Sequence, residues 1–205
     1  MFEQNRLKAL EKRHKLIEQR RYPLKTNNQK SENTKIRNLQ MNKIKGDLIK
    51  LALKGDFDVI VHGCNCFCTM GAGIALAIKT IFPEAYKADL QTEKGDREKL
   101  GSYTAATVEK NGHQITVVNA YTQYHYGGPG NKVDYDALRA VFSKIKRDFT
   151  GQRIGYPLIG AGLAGGDWKL ISKIIDEELK DENHTVVVYS GHISSLVFSF
   201  LVDRC

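Results

Sequence analysis

Residues 57–81 read FDVIVHGCNCFCTMGAGIALAIKTI, and this stretch decides the fold. Residues 57–61 are a short apolar run between Asp56 and Gly63, which predicts a strand covered on both faces. Residues 71–81 place Ile74, Ile78 and Ile81 on one helical stripe. Between them, Met70-Gly71-Ala72-Gly73-Ile74-Ala75 is a glycine-rich turn that leaves a buried strand and opens a helix. A second turn, Ile159-Gly160-Ala161-Gly162-Leu163-Ala164-Gly165-Gly166, does the same between the run 153–159 and a helix carrying Trp168, Ile171, Ile175 and Leu179. In an α/β sheet, loops at the carboxyl ends of the strands form the ligand crevice.

The flanking sequence extends this pattern. Residues 103–109 and 115–121 are strand-like on either side of Asn111-Gly112, a hairpin turn signal. Over residues 134–149, Tyr135, Leu138, Val141, Phe142, Ile145 and Phe149 keep helical spacing, and residues 185–189 read as a last buried strand. The order predicts an α/β fold: a mixed, mostly parallel central sheet with helices on both faces, spanning residues 42–189.

The chain has 205 residues, 41% hydrophobic and 26% charged, with a net charge of +8. Residues 1–40 hold 11 lysines and arginines against 4 acidic residues, and the remainder holds 20 against 19, so the basic excess lies almost wholly ahead of the predicted domain. Residues 1–41 read as a thin amphipathic helix over 3–20 followed by a polar linker; such an extension is expected to touch RNA or another polyanion weakly, or to stay a solvated tail. Residues 190–205 fit an added strand or helix, or an irregular terminus. No signal-peptide pattern opens the sequence, and the late apolar run 196–202 falls far short of the roughly 20 residues a membrane span requires. Three of the four cysteines, Cys64, Cys66 and Cys68, crowd into one short run, which favours a reducing compartment. The expectation is a soluble protein without membrane contact, cytoplasmic, or nuclear in a eukaryote.

Glycine lets a backbone approach an anion without a Cβ in the way, and a helix start supplies unpaired N–H groups. Two such turns facing one another can clasp a diphosphate, whereas either alone is as readily plain turn chemistry. Neither turn continues to Gly-Lys-Ser/Thr, and Gly71-Ala72-Gly73 lacks the third glycine of a dinucleotide fingerprint, which excludes a Walker loop and disfavours a nucleotide-binding Rossmann domain.

Four segments in order, Lys45-Gly46-Asp47-Leu48, Val61-His62-Gly63-Cys64-Asn65-Cys66, Met70 to Ala75 as quoted, and Pro157-Leu158 running through the second turn to Asp167-Trp168, resemble a macrodomain. The chain is most similar to the branch holding small phage macrodomains, yeast-type ADP-ribose-1″-phosphate phosphatases and terminal ADP-ribose protein glycohydrolases. The resemblance implies a three-layer fold and an ADP-ribose ligand. It implies that Asp47, after Gly46, meets the adenine amino group with Leu48 beside it, and that Cys64 and Asn65 lie near the distal ribose. Gly71, Ala72, Gly73, Ile74 and Ala75 would wrap that ribose and one phosphate, and Ile159, Gly160, Ala161, Gly162, Leu163, Ala164 and Gly165 would bind the diphosphate. Asp47 also reads as a helix N-cap, and Asn65 as a turn-stabilising residue.

Two departures bear on activity. Glycohydrolases of this branch carry a lysine where this chain has Gln123, and an aspartate where it has Ala164. His62, ahead of Cys-Asn-Cys, matches the yeast-type phosphatases instead, where a histidine can move a proton during ester hydrolysis. The catalytic candidates are therefore His62, Asn65 and Asp167, the last equally an N-cap for the helix at Trp168. His125 and Tyr124 lie in a glycine-rich loop that could close over the substrate or simply face solvent. The alternation of His62, Cys64, Cys66 and Cys68 evokes zinc, but no second ligand pair exists, so neither metal nor other cofactor is expected. The expected activity is phosphate removal from ADP-ribose 1″-phosphate; a non-catalytic reader of ADP-ribose or ADP-ribosylated partners, and a hydrolase of ADP-ribosyl or acyl esters, stay open.

Overall fold

The computed structural model describes residues 40–190. Of the helix and linker expected over residues 1–41, with their polyanion contact, residues 1–39 lie outside the described residues, as does the segment 191–205. The elements run β1 (Asn42–Lys45), α1 (Leu48–Leu53), β2 (Val59–Asn65), α2 (Gly73–Ile81), α3 (Pro83–Leu90), a 3-10 turn (Arg97–Lys99), β3 (Tyr103–Lys110), β4 (His113–Gln123), α4 (Tyr135–Asp148), β5 (Ile154–Tyr156), α5 (Trp168–Glu178) and β6 (His184–Val188).

The six strands form one sheet in the order β1-β6-β5-β2-β4-β3. All neighbours pair parallel except β3, which returns antiparallel along β4. This is the mixed, mostly parallel α/β arrangement that the alternation of patterns predicts. Asn111 and Gly112 both take positive φ, 53° and 75°, as a two-residue hairpin turn requires. β2 sits between β5 and β4 and is apolar on both faces, because helices cover both. Val59 and Val61 pack with Leu138, Phe142, Ile171 and Ile175 on the α4/α5 side. Ile60 packs with Ile78, Phe82 and Ala85 on the α2/α3 side. No helix among the described residues is long and apolar enough to cross a membrane.

Candidate functional site

β1, β2, β4, β5 and β6 run parallel, so their carboxyl ends share one edge of the sheet. The segments leaving β1, β2, β4 and β5 line that edge, and the two glycine turns are among them. A Cβ placed on Gly73 would stand 3.7 Å from Leu163 Cδ1, so the turns meet. Leu163 is 78% exposed, and Gly71, Ala72, Gly73, Gly162 and Gly165 are exposed with it. The result is a crevice walled by two backbone loops and open to solvent.

The helix starts differ in one respect that matters for anions. α1, α4 and α5 each begin behind an aspartate whose carboxylate accepts helix amides: Asp47 from Ile49 N (3.0 Å) and Lys50 N (3.1 Å), Asp134 from Ala137 N (2.9 Å), and Asp167 from Lys169 N (2.8 Å). α2 begins behind Ala72 with no side-chain cap. α3 likewise has no side-chain cap at Phe82 but starts with Pro83, so α2 is the helix whose first-turn N–H groups and positive dipole end stand open at the glycine turn. In the second turn, Gly160 sits at φ +73°, and a Cβ there would fall 2.9 Å from Val133 Cγ2 and 3.1 Å from Ile171 Cδ1. Gly166 N–H donates to Gly160 O (2.9 Å) and Gly165 N–H to Gly162 O (3.0 Å), which holds the loop in shape. The β4–α4 connection leans on it, with Lys132 N–H donating to Ala164 O (2.8 Å). At the rim, Phe67 meets Tyr124 and His125 edge-on, and His125 stacks on Tyr126.

The residues named from sequence divide into three sets. Gly46, Asp47, Gly71 to Ala75, Gly160, Ala161, Gly162, Leu163 and Gly165 are exposed or half-buried along this edge. Leu48, Cys64, Ile159 and Ala164 are buried and support it from the core. The three catalytic candidates form the last set. Asp167 is exposed and caps α5. Asn65 donates from Nδ2 to Thr69 O (3.0 Å) and accepts at Oδ1 from Phe67 N–H (2.9 Å), so both ends of its carboxamide shape the turn that leads to the first glycine loop.

His62 lies elsewhere. It is fully buried, on the face of β2 that packs under α3, opposite the face where Gly63 meets Ile159. Asn119, its register partner on β4, donates from Nδ2 to Ala85 O (2.8 Å) and Thr104 Oγ1 (2.9 Å). That leaves Asn119 Oδ1 to accept from His62 Nε2 at 2.8 Å, which fixes the tautomer. Burial lowers the His62 pKa to about 4, with the Asn119 hydrogen bond opposing the shift. A neutral ring with no exposed atom cannot reach a substrate in the crevice. The proton carrier named from sequence thus lies beneath the crevice, hydrogen-bonded to Asn119, and not among the residues exposed in it.

The same buried layer holds groups that the sequence reading passed over. Tyr121 OH donates to Asp89 Oδ1 (2.7 Å), Lys99 Nζ stands 3.6 Å from that oxygen, and Lys99 donates to Cys66 O (3.2 Å). Asp89 and Lys99 are 1% and 5% exposed. Through Cys66 O this ion pair fixes the segment joining β2 to the first glycine turn. The thiols of Cys64 and Cys66 are pushed up by burial, which keeps them protonated. Gln123 offers an amide rather than an amine, and Nε2 donates to His125 O (2.9 Å). Among the described residues, no three His, Cys, Asp or Glu side chains converge as a metal site.

Fold and crevice together define an α/β domain with a solvent-open crevice between two glycine turns at the carboxyl edge of a mostly parallel sheet. Residues 61–175 match the model of the Macro domain, more than half of the chain, and the chain belongs to that family. It is 39% identical over 138 residues to an uncharacterized 17.5 kDa protein from the tk-vs intergenic region of Enterobacteria phage T4, covering 65% of this chain and 86% of that one. It is 28% identical over 124 residues to the DNA ADP-ribosyl glycohydrolase of Mycobacterium tuberculosis, a match that spans 60% of this chain but 34% of that protein. A solved structure from Bacteroides thetaiotaomicron superposes with a TM-score of 0.60 at 28% identity, covering 73% of this chain and 99% of that one.

Proposed function

We propose that the chain binds ADP-ribose in this crevice and hydrolyses the phosphate ester of ADP-ribose 1″-phosphate. The observation that carries the reading is the contact of the two glycine turns around the uncapped start of α2, which offers a diphosphate backbone amides from both sides. The similarity to a protein named for ADP-ribosyl hydrolysis supports the ligand. Gln123 and Ala164, in place of the lysine and aspartate that the resemblance leads one to expect, argue against attack on a glycosidic bond. With His62 buried, Asp167 is the group at the second turn that can orient an attacking water, through the oxygen its cap leaves free. The amides of α2 neutralise the charge on the reacting phosphate. A reader of ADP-ribose without turnover is the second reading, and the absence of the His62 imidazole from the crevice favours it.

Phosphate release from ADP-ribose 1″-phosphate and calorimetry with ADP-ribose separate the two readings. Asp167→Asn keeps the helix cap and is expected to slow phosphate release by about 100-fold or more, the usual contribution of a general base. A wild-type chain that binds ADP-ribose and releases no phosphate is a reader. Gly162 gives a test of the ligand face alone, because an added Cβ there meets nothing within 4 Å. Gly162→Glu is expected to leave the fold intact and to weaken ADP-ribose binding by about 100-fold, since it sets a carboxylate against the diphosphate. Gly160→Ala, at a left-handed and crowded position, is expected instead to lower stability by about 1–3 kcal/mol, read as a shifted denaturation midpoint.

A further inference from the structure

A buried amine and a thiol meet just ahead of the first glycine turn. Lys99 Nζ stands 3.3 Å from Cys68 Sγ and 3.6 Å from Asp89 Oδ1. The Cys68 S–H donates to Asp89 O at 3.2 Å, with Thr92 Oγ1 at 3.5 Å. Cys68 takes φ +54°, a left-handed backbone that glycine adopts without strain and cysteine does not. Lys99 is 5% exposed. Cys68 instead lines a cavity of about 350 Å³ together with Met70, Tyr86 and Lys94, so a small solute entering the cavity comes up against Cys68 with the amine behind it. Neither Cys64 nor Cys66 lines that cavity, and burial pushes both of their thiols up. Asp89 Oδ2 is buried and finds no hydrogen-bond partner among the described residues.

We propose that Cys68 and Lys99 form an oxidative modification site, at which hydrogen peroxide joins Lys99 Nζ to Cys68 Sγ as a sulfenamide. In the first step Sγ attacks one peroxide oxygen, the O–O bond breaks, and the other oxygen leaves as water with the thiol proton. Sulfur is thereby oxidised to the sulfenic acid and the peroxide is reduced. In the second step the Nζ lone pair attacks Sγ, the S–O bond breaks, and the hydroxyl leaves as water with an amine proton. One thiol, one amine and one peroxide give one N–S bond and two waters. Sulfenic acids condense with thiols and with backbone nitrogen; here the nitrogen at hand is a lysine amine. Its distance of 3.3 Å from sulfur already falls in the near-attack range of about 3–3.5 Å. The ammonium must first give up a proton, and the Asp89 carboxylate beside it, with Oδ2 unpartnered, is the acceptor. A neutral acid beside a neutral sulfenamide then leaves no unpaired charge in the interior. The new bond draws Cys68 toward Lys99 within the turn that the Asn65 carboxamide holds at Phe67 N–H and Thr69 O. Met70 and Gly71 follow directly, so the bond displaces the first glycine turn; this consequence for ligand rests on the ADP-ribose reading, whereas the bond itself does not.

The test is peptide mass spectrometry of the full chain after treatment with hydrogen peroxide, with and without a later thiol reductant, beside calorimetry with ADP-ribose. The expected product joins the Cys68 peptide to Lys99, is lighter than the reduced pair by the two hydrogens lost on oxidation, and resists trypsin after Lys99 until reductant restores cleavage. Cys68→Ser is expected to abolish it, and Cys64→Ala and Cys66→Ala to keep it. A disulfide among the three cysteines overturns the proposal. So does Cys68 oxidised to sulfinic acid with Lys99 unmodified, or a product that keeps an oxygen between nitrogen and sulfur. Cross-linked chain is expected to bind ADP-ribose about 5-fold or more weakly, a modest coupling between sites, and to recover with reductant. Unchanged affinity in chain shown to be cross-linked overturns the link to the glycine turn. Failure of the reduced chain to bind ADP-ribose would instead overturn the crevice reading, leaving the cross-link to stand by its mass.

Discussion

Replacing Lys99 with alanine is expected to lower stability by about 3–5 kcal/mol, the cost of breaking a buried ion pair from one side. Lys99 stands 3.6 Å from Asp89 Oδ1, donates to Cys66 O at 3.2 Å, contacts Cys68 Sγ at 3.3 Å and lies 4.5 Å over the Tyr121 ring. Removing the ammonium leaves the Asp89 carboxylate, 1% exposed, with Tyr121 OH as its remaining hydrogen-bond donor. It also frees Cys66 O at the root of the first glycine turn, so the loss extends to ligand affinity. The double variant Lys99→Met/Asp89→Leu removes both charges and is expected to recover much of the stability, because a buried pair replaced by apolar groups of similar volume is often near neutral. Denaturant unfolding of the wild type, Lys99→Met, Asp89→Leu and the double variant completes the cycle, with unchanged m-values as the control. Additive losses, or a single-variant cost below about 1 kcal/mol, would show that the pair does not act as a unit.

That layer marks where the sequence stops being legible. Strands and helices whose pattern is local could be read: the stripe Ile74, Ile78, Ile81, the spacing Leu138, Val141, Phe142, Ile145, and the Asn111-Gly112 turn all carry their structure within a few residues. α3 could not, because Pro83–Leu90 buries Ala85 and a carboxylate, Asp89, rather than an apolar stripe. Lys99 and Asp89 look like solvated charges one by one. Only the tertiary fold brings them under Cys66 and Tyr121, so no spacing rule finds them. His62 was partly legible. A strand apolar on both faces buries whatever polar residue interrupts it, and Asn119 interrupts the apolar run of β4 at the paired position. Two polar residues, each breaking a buried strand, mark a hydrogen-bonded pair rather than a catalytic edge. The glycine turns could be read as a crevice because glycine frequency and helix starts are local signals, whereas the approach of Gly73 to Leu163 is a property of the assembled sheet.

Stability is expected to fall as pH drops from about 6.5 to about 4, with His62 contributing about 3 kcal/mol of the loss. The folded ring has its pKa depressed to about 4 by burial, against 6.5 for an open histidine. In the window between, the unfolded chain binds a proton that the folded chain refuses, so acid favours unfolding. His62 Nε2–H is already donated to Asn119 Oδ1, so an added proton goes to Nδ1, where the neighbour is Cys64 Sγ at 3.7 Å, a weak acceptor. His184 is also lowered by burial and adds to the trend with the same sign. Comparison of wild type with His62→Gln isolates the contribution: the variant should lose less stability between pH 7 and pH 4.5 even if it starts lower. Carboxylates such as Asp58, held below their usual range by Arg153, act further down the scale and do not blur the window. A proton-NMR titration of the His62 ring that turns over near 6.5 would sink the argument. The same experiment bears on catalysis. A ring that titrates only as the protein unfolds cannot shape a pH profile of the folded chain, so the proposed phosphate release should show no His62-dependent inflection while the chain stays folded. An inflection that disappears in His62→Gln, with stability unchanged across it, would return the imidazole to the reaction.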